Sequence, residues 1–140
     1  MSRKTLFALM AISAVVGLMM SAYLTYLSST PPTVCPVGDY GVFSCTDVIW
    51  SEYAYFYGFS VALLGLGWFI MVSGTIVAAW RDPRFTRVVF VCSLVGVAGV
   101  AGFVYTELFL LRTVCPLCTV THLAGLAIFV LSATSLRSRT

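Results

Sequence analysis

Polar and charged residues are sparse along this chain, and between them run four apolar stretches: roughly Thr5 to Leu27, Gly58 to Ala79, Val88 to Leu110 and Leu117 to Leu136. A helix that crosses the hydrocarbon core of a bilayer takes about 20 mostly apolar residues, and each stretch is long enough. None carries a charge at its centre. Backbone groups in hydrocarbon must be hydrogen-bonded internally, so the pattern predicts helices rather than apolar coil. Small residues recur inside them, as at Gly65/Gly67 and Gly96/Gly99/Gly102, and let neighbouring helices approach closely. Two connections are short, residues 80–87 and 111–116. The third, residues 28–57, is long and holds Pro31, Pro32, Gly38 and Gly41. Within it, Thr46 to Tyr57 predicts a short interfacial helix. Ser44 and Asp47 are cap-like at its start, and Trp50, Tyr53, Tyr55 and Tyr57 suit the headgroup zone. The expected architecture is an all-α integral membrane protein, a four-transmembrane-helix bundle forming one domain over residues 1–140.

Composition supports lipid as the solvent. Hydrophobic residues make up 60% of the chain and charged residues 9%, against about 25% charged in a soluble domain. No basic cluster points to nucleic acid. The placement of charge matters more than the net +3. With both termini cytoplasmic, Arg3, Lys4, Arg81, Arg84, Arg87, Arg137 and Arg139 lie inside and only Arg112 outside, which satisfies the positive-inside rule. Asp39, Asp47, Glu52 and Glu107 then lie at or near the outer side. Arg3 and Lys4 ahead of an apolar run also suit a cleaved signal peptide. That run exceeds a signal core of about 7–15 residues and no A-x-A site follows, so it is expected to remain as the first helix.

This topology gives the cysteines their meaning. Cys35 and Cys45 fall in the long outer loop, and Cys115 and Cys118 at the outer end of the fourth helix. Two pairs thus occupy an oxidising, extracytoplasmic compartment, where disulfides form and persist. Cys92 is alone near the inner end of the third helix and reads as a small buried apolar residue. Cys115-Pro116-Leu117-Cys118 is a C-x-x-C at a helix N-terminus, with Pro116 suited to the first helical position. Unpaired N–H groups and positive partial charge there favour a thiolate, so the pKa of the leading cysteine is expected to fall. A static disulfide at this place would restrain little chain. Zinc is disfavoured by the nine residues separating Cys35 from Cys45. The loop pair is either a staple or a mobile dithiol that exchanges with a soluble partner and with the buried pair through mixed disulfides.

A disulfide relay needs an oxidant. The chain has no haem C-x-x-C-H, dinucleotide fingerprint or cluster of metal ligands, so a lipid-borne quinone fits best. His122 follows Cys118 by four residues and shares its helix face, with Gly125 and Phe129 continuing the stripe. It is placed to hydrogen-bond a quinone carbonyl or supply a proton, or to bond a neighbouring helix. Glu107 is expected at the interface, with proton carriage the alternative, and Arg112 is expected as a headgroup anchor.

Cys35, Cys45, the run Cys45-x-x-Val48-x-x-Ser51, Tyr57-Gly58 and Cys115-x-x-Cys118 together resemble the vitamin K epoxide reductase family, in particular its short microbial members. The likeness covers nearly the whole chain. It implies a four-helix bundle around a quinone (ubiquinone, menaquinone or related). Cys118 resembles the cysteine that reacts with the quinone, Cys115 its disulfide partner, Cys45 the loop cysteine that attacks Cys115, and Cys35 the one that exchanges with the outside substrate. Ser51 matches the family serine, and His122 stands where many members have a tyrosine at the quinone. The family's asparagine near the start of helix two is missing, since the chain contains no Asn, and Ala54 is near that place. Many bacterial members carry a fused thioredoxin-like domain; here that partner is expected to be a separate protein. The implied activity is quinone-dependent thiol-disulfide oxidation supporting disulfide formation. The alternatives are vitamin K epoxide reduction in an endoplasmic reticulum membrane and a non-catalytic scaffold with structural disulfides.

Overall fold

The structure, a computed structural model, describes residues 1–30, Pro36 and 38–138. Four helices long and apolar enough to cross a membrane dominate it. Helix α1 (Arg3–Ser29) starts at Ser2, whose side chain accepts a hydrogen bond from the Thr5 backbone N–H, as an N-cap serine does. A five-residue helix α2 (Cys45–Ile49) follows the long loop, capped by Ser44 Oγ, which accepts from Asp47 N at 3.2 Å. The cap-like serine therefore does cap, but the interfacial helix is shorter than the expected Thr46–Tyr57. Ser51 adopts extended backbone, a 3₁₀ turn covers Glu52–Ala54, and the chain then forms a two-residue hairpin, β1 (Tyr55–Phe56) against β2 (Phe59–Ser60).

That hairpin also shifts the second spanning helix. The residues between the strands, Tyr57 and Gly58, both have positive φ, +50° and +83°, the backbone of a type I′ turn. Helix α3 (Val61–Arg81) therefore begins three residues after the expected Gly58. At its far end the Asp82 side chain accepts from Arg84 N at 2.9 Å and caps a 3₁₀ turn, Pro83–Phe85. Helix α4 (Thr86–Tyr105) continues as a π-helical segment, Thr106–Leu111, which stops at Arg112 in left-handed conformation. Helix α5 (Pro116–Arg137) starts with a proline at its first position, where the missing N–H costs nothing.

α1 packs against both α3 and α5, and α4 against α5 and α3. Residues such as Ile12, Met19, Ile70, Val91 and Leu123 point outward and exposed, the lipid-facing side of the bundle. Lipid tails are as apolar as these side chains, so close fit and interhelical hydrogen bonds hold the helices together more than escape from water does. At Gly17 a Cβ would overlap the Phe69 ring, so only glycine lets α1 and α3 meet there. Ser93 and Ser132 share a hydrogen bond of 3.2 Å between α4 and α5; such a bond contributes about 0.6 kcal/mol in a membrane bundle. Arg3 donates to the carbonyls of Ala79 and Trp80, both at 3.3 Å, and closes the end of the bundle where Arg81, Arg84, Arg87 and Arg137 also lie. The buried side chains form two clusters. One, around Phe7, Met10, Val72, Ile76 and Ile128, fills that basic half. The other, around Leu24, Cys45, Ile49 and Cys115, fills the opposite end.

Candidate functional site

Short backbone pairings bring the cysteines of two distant segments together. Tyr40 and Phe43 exchange hydrogen bonds at 2.8 and 2.9 Å around a tight turn through Gly41, whose φ is +59°. The strand leaving that turn runs parallel to the connection before α5. Val114 N donates to the Val42 carbonyl at 2.8 Å, and Ser44 N donates to the Val114 carbonyl at 3.2 Å. The next residue on each side is a cysteine. Cys45 and Cys115 are both fully buried, and their sulfurs are 3.2 Å apart. This exceeds a disulfide bond of about 2.05 Å and falls in the roughly 3–3.5 Å range of atoms poised to react. The Cys45 end of the loop is thus pinned by backbone hydrogen bonds to the connection before α5. Cys35 lies outside the described residues.

Cys115 caps α5: its sulfur accepts the backbone N–H of Cys118 at 3.3 Å. The expectation of a lowered pKa at this helix end is overturned. The Cys115 pKa is raised above the ordinary thiol range. The largest cause is hydrogen bonding with the Cys118 thiol, opposed by the Cys45 sulfur; burial and the charge of Cys118 raise it further, and the Cys118 N–H lowers it. The helix terminus does act on Cys115, but the sulfur beside it and the loss of water outweigh it.

Cys118 looks instead into a cavity of about 270 Å³ between the two buried clusters. Its walls include the rings of Trp68, Phe69 and Phe103, and Gly65, Gly96, Gly99 and Gly125 leave room for them. Trp68 Nε1 donates to the Cys92 carbonyl at 3.1 Å, so Cys92 supports the wall through its backbone while its side chain packs on the core. Ser51, Tyr53, Glu107 and His122 are among the polar residues of the lining, with Ser21, Ser60, Thr106 and Thr121. The Ser51 hydroxyl donates to the Val48 carbonyl at 2.8 Å. The His122 ring lies nearly parallel to Phe103, with centroids 6.2 Å apart and planes 4° from each other. Gly125 also lines the cavity, but Phe129, expected on the same stripe, stacks on Phe90 at 5.6 Å instead. Ala54, near the place of the missing asparagine, is on the wall.

Glu107 departs most from expectation. It is buried, 5% exposed, rather than interfacial. It sits in the π-helical segment, whose wider turn re-aims side chains and often marks functional sites. Its carboxyl interacts with the backbone N–H of Cys115, and its own carbonyl accepts from Thr113 N at 3.0 Å. Sequence reasoning missed Trp68, Phe103 and Tyr53 as wall residues; their apolar or interfacial settings gave no distinguishing signal. Glu107 did give one, as an acid close to an apolar helical stretch.

The arrangement can pass electrons from Cys45 to Cys115 by thiol–disulfide exchange and bring them to a sulfur facing a flat-walled apolar cavity. A search among curated proteins returns no match. The model of the vitamin K epoxide reductase family matches residues 8–133 of the 140. The four-helix membrane fold and the ordered cysteines agree with that match, and the chain belongs to the vitamin K epoxide reductase family, whose members are membrane thiol/quinone oxidoreductases.

Proposed function

We propose that this protein oxidises a thioredoxin-like partner outside the cytoplasm and passes the electrons to a membrane quinone, so supporting disulfide formation in exported proteins. The observation that carries this reading is the 3.2 Å contact of Cys45 with Cys115, next to a Cys118 that lines the cavity. In the relay the partner dithiol attacks Cys35 of an oxidised Cys35–Cys45 pair, the partner becomes a disulfide, and the loop pair is left as a dithiol. Cys45 attacks Cys115, and Cys118 is released as a thiolate. Each step exchanges one S–S bond for another. Basic residues at one end of the bundle support the orientation: Arg3, Arg81, Arg84, Arg87 and Arg137 gather opposite the cysteines, which would put both termini in the cytoplasm.

The cavity suits a quinone head. Aromatic walls match a flat ring, and a few polar groups in a mostly apolar lining are the usual make-up of such a site. Ubiquinone, menaquinone or a related quinone would supply the two-electron acceptor. His122, with the edge of its ring left free by stacking on Phe103, would hydrogen-bond a carbonyl oxygen. Ser51 ties the segment after α2 to Val48 and holds that wall in place. The test is quinone reduction by the purified protein with a reduced thioredoxin-like partner, run on wild type and on Cys35→Ala, Cys45→Ala, Cys115→Ala and Cys118→Ala. The expected result is loss of turnover in all four, with a mixed disulfide trapped through the loop pair. Unchanged turnover in Cys115→Ala or Cys118→Ala would remove the relay.

A further inference from the structure

The sulfur relay leaves one buried ionisable group without a task. Glu107 lines the cavity and also a second pocket of about 250 Å³ between α4 and α5; His122 and Val100 are the other residues common to both. Cys118, Tyr53 and His122 are the other titratable groups on the cavity wall, with Cys115 beside the Glu107 carboxyl. Among the described residues no Lys or Arg lines either space. A carboxyl group there has no cation to pair with, and holding an unpaired buried charge is costly, so exchanging a proton is the chemistry left to it. Ionisable groups at membrane depth usually mark such a path.

The relay itself creates the need. When Cys45 attacks the Cys115–Cys118 bond, the new S–S bond forms as the old one breaks, and Cys118 leaves as a thiolate. Electrons arrive this way without protons. Reducing a quinone to its hydroquinone takes two electrons and two protons, and both protons must be found inside the bundle.

We propose that Glu107 is the proton donor to a quinone oxygen in this cavity, an inference that rests on the quinone assignment above. The balance is complete with the groups present. Cys35 then attacks Cys45, re-forming the loop disulfide and releasing Cys115, which takes the proton that Cys35 gives up. The Cys118 thiolate and the Cys115 thiol re-form their S–S bond and give up two electrons to the quinone. The Cys115 proton and the Glu107 proton end on its two oxygens, and Glu107 is left as the carboxylate. It is re-protonated from the nearby aqueous face, since its π-helical segment ends at Leu111, four residues further on.

The test uses full-length Glu107→Gln in nanodiscs, with a reduced thioredoxin-like partner and menadione or decylubiquinone as the acceptor. Glutamine keeps the shape and can still accept from the Cys115 N–H, but it has no proton to give. General acid catalysis contributes about 10²–10⁴-fold, so turnover is expected to fall about 100-fold. Four other readouts accompany it. Menadione binding, followed by quenching of Trp68 fluorescence against a Trp68→Phe control, stays within twofold. The Cys45–Cys115 exchange proceeds as in wild type. Alkylation shows Cys115 and Cys118 accumulating as the dithiol during turnover, and Glu107→Asp restores part of the rate. Turnover within twofold of wild type overturns the proposal. So does a loss of menadione binding or of thermal stability that matches the loss of rate, which would make Glu107 a structural residue. A wild-type protein that reduces neither quinone overturns the quinone assignment, and this inference with it.

Discussion

Replacing Cys118 by alanine, with the loop pair oxidised, should lock Cys45 and Cys115 into a covalent pair. Cys115 is then left without its helix partner, and it attacks Cys45, so that the Cys115–Cys45 bond forms and Cys35 leaves as a thiol. The sulfurs start 3.2 Å apart and must close by about 1.2 Å to reach a bond of about 2.05 Å. Their separation already falls in the near-attack range of about 3–3.5 Å. Well-oriented groups reach effective concentrations of ~10⁵–10⁸ M; at even ~1 M the internal bond beats ~1 mM of an external thiol about a thousandfold. The replacement also removes the largest cause of the raised Cys115 pKa, which makes the thiolate more available. The assay is non-reducing peptide mapping after incubation with ~1 mM glutathione, a level set by the same comparison. A Cys45–Cys115 linkage in most molecules is expected. Glutathione on Cys115, or a Cys35–Cys115 linkage as the main product, would refute the claim that backbone pairing at Val114 sets which sulfurs meet.

Two further outcomes follow from the same geometry. Gly96→Ala drives a Cβ into the Trp68 ring, which is tethered to the Cys92 carbonyl and packed edge-on to Phe69; overpacking of this kind costs about 1–3 kcal/mol. Thermal unfolding should show a lowered midpoint and kinetics a KM for quinone that rises more than kcat falls. Gly74→Ala, where an added Cβ meets nothing within 4 Å, serves as the control. Alkylation of Cys115 in a Cys45→Ser background should keep rising with pH past about 8.5, the ordinary thiol pKa, because only the thiolate reacts and the pKa of Cys115 is raised. The sign is fixed by the protonated form being favoured in the fold. A plateau at or below the ordinary value would contradict the structure. Adding Cys118→Ser should bring the plateau down, since that side chain is the first cause of the shift.

The spanning helices were legible because hydrocarbon demands long apolar runs, and α1 at Arg3–Ser29 or α5 at Pro116–Arg137 differ from the expected bounds by a few residues. The ends were less legible where a local turn competed with the helix. Tyr57-Gly58 carried a hairpin signal in its glycine, but a hairpin of two-residue strands has no alternating pattern to announce it. The pairing of Val42 and Ser44 with Val114 was invisible for a stronger reason: it joins residues about 70 positions apart through backbone groups alone. The inward turn of Glu107 depends on a π-helical segment, which no 3.6-residue periodicity encodes. The raised pKa of Cys115 was not legible because it depends on two sulfurs that only the fold places beside the helix terminus.

Those two neighbours also explain why the order of the sulfurs matters. Cys115 is in contact with the loop cysteine on one side and with Cys118 on the other, and only Cys118 of the pair faces the cavity. Under the proposed relay, attack by Cys45 on Cys115 expels Cys118, the sulfur next to the acceptor. Attack on Cys118 would expel Cys115, which is buried away from the cavity wall and would have to pass its electrons back. The 3.2 Å contact therefore selects the productive one of two chemically similar exchanges. The pinning of Val42–Ser44 to Val114 is what enforces the choice. A flexible loop would let Cys45 sample both sulfurs, whereas a loop hydrogen-bonded to the residue just before Cys115 presents it to that sulfur alone. Lengthening the loop between Ser44 and Cys45 by one or two glycines should then leave the family's cysteines intact but slow quinone-linked oxidation, with mixed disulfides appearing at Cys118 as well as Cys115.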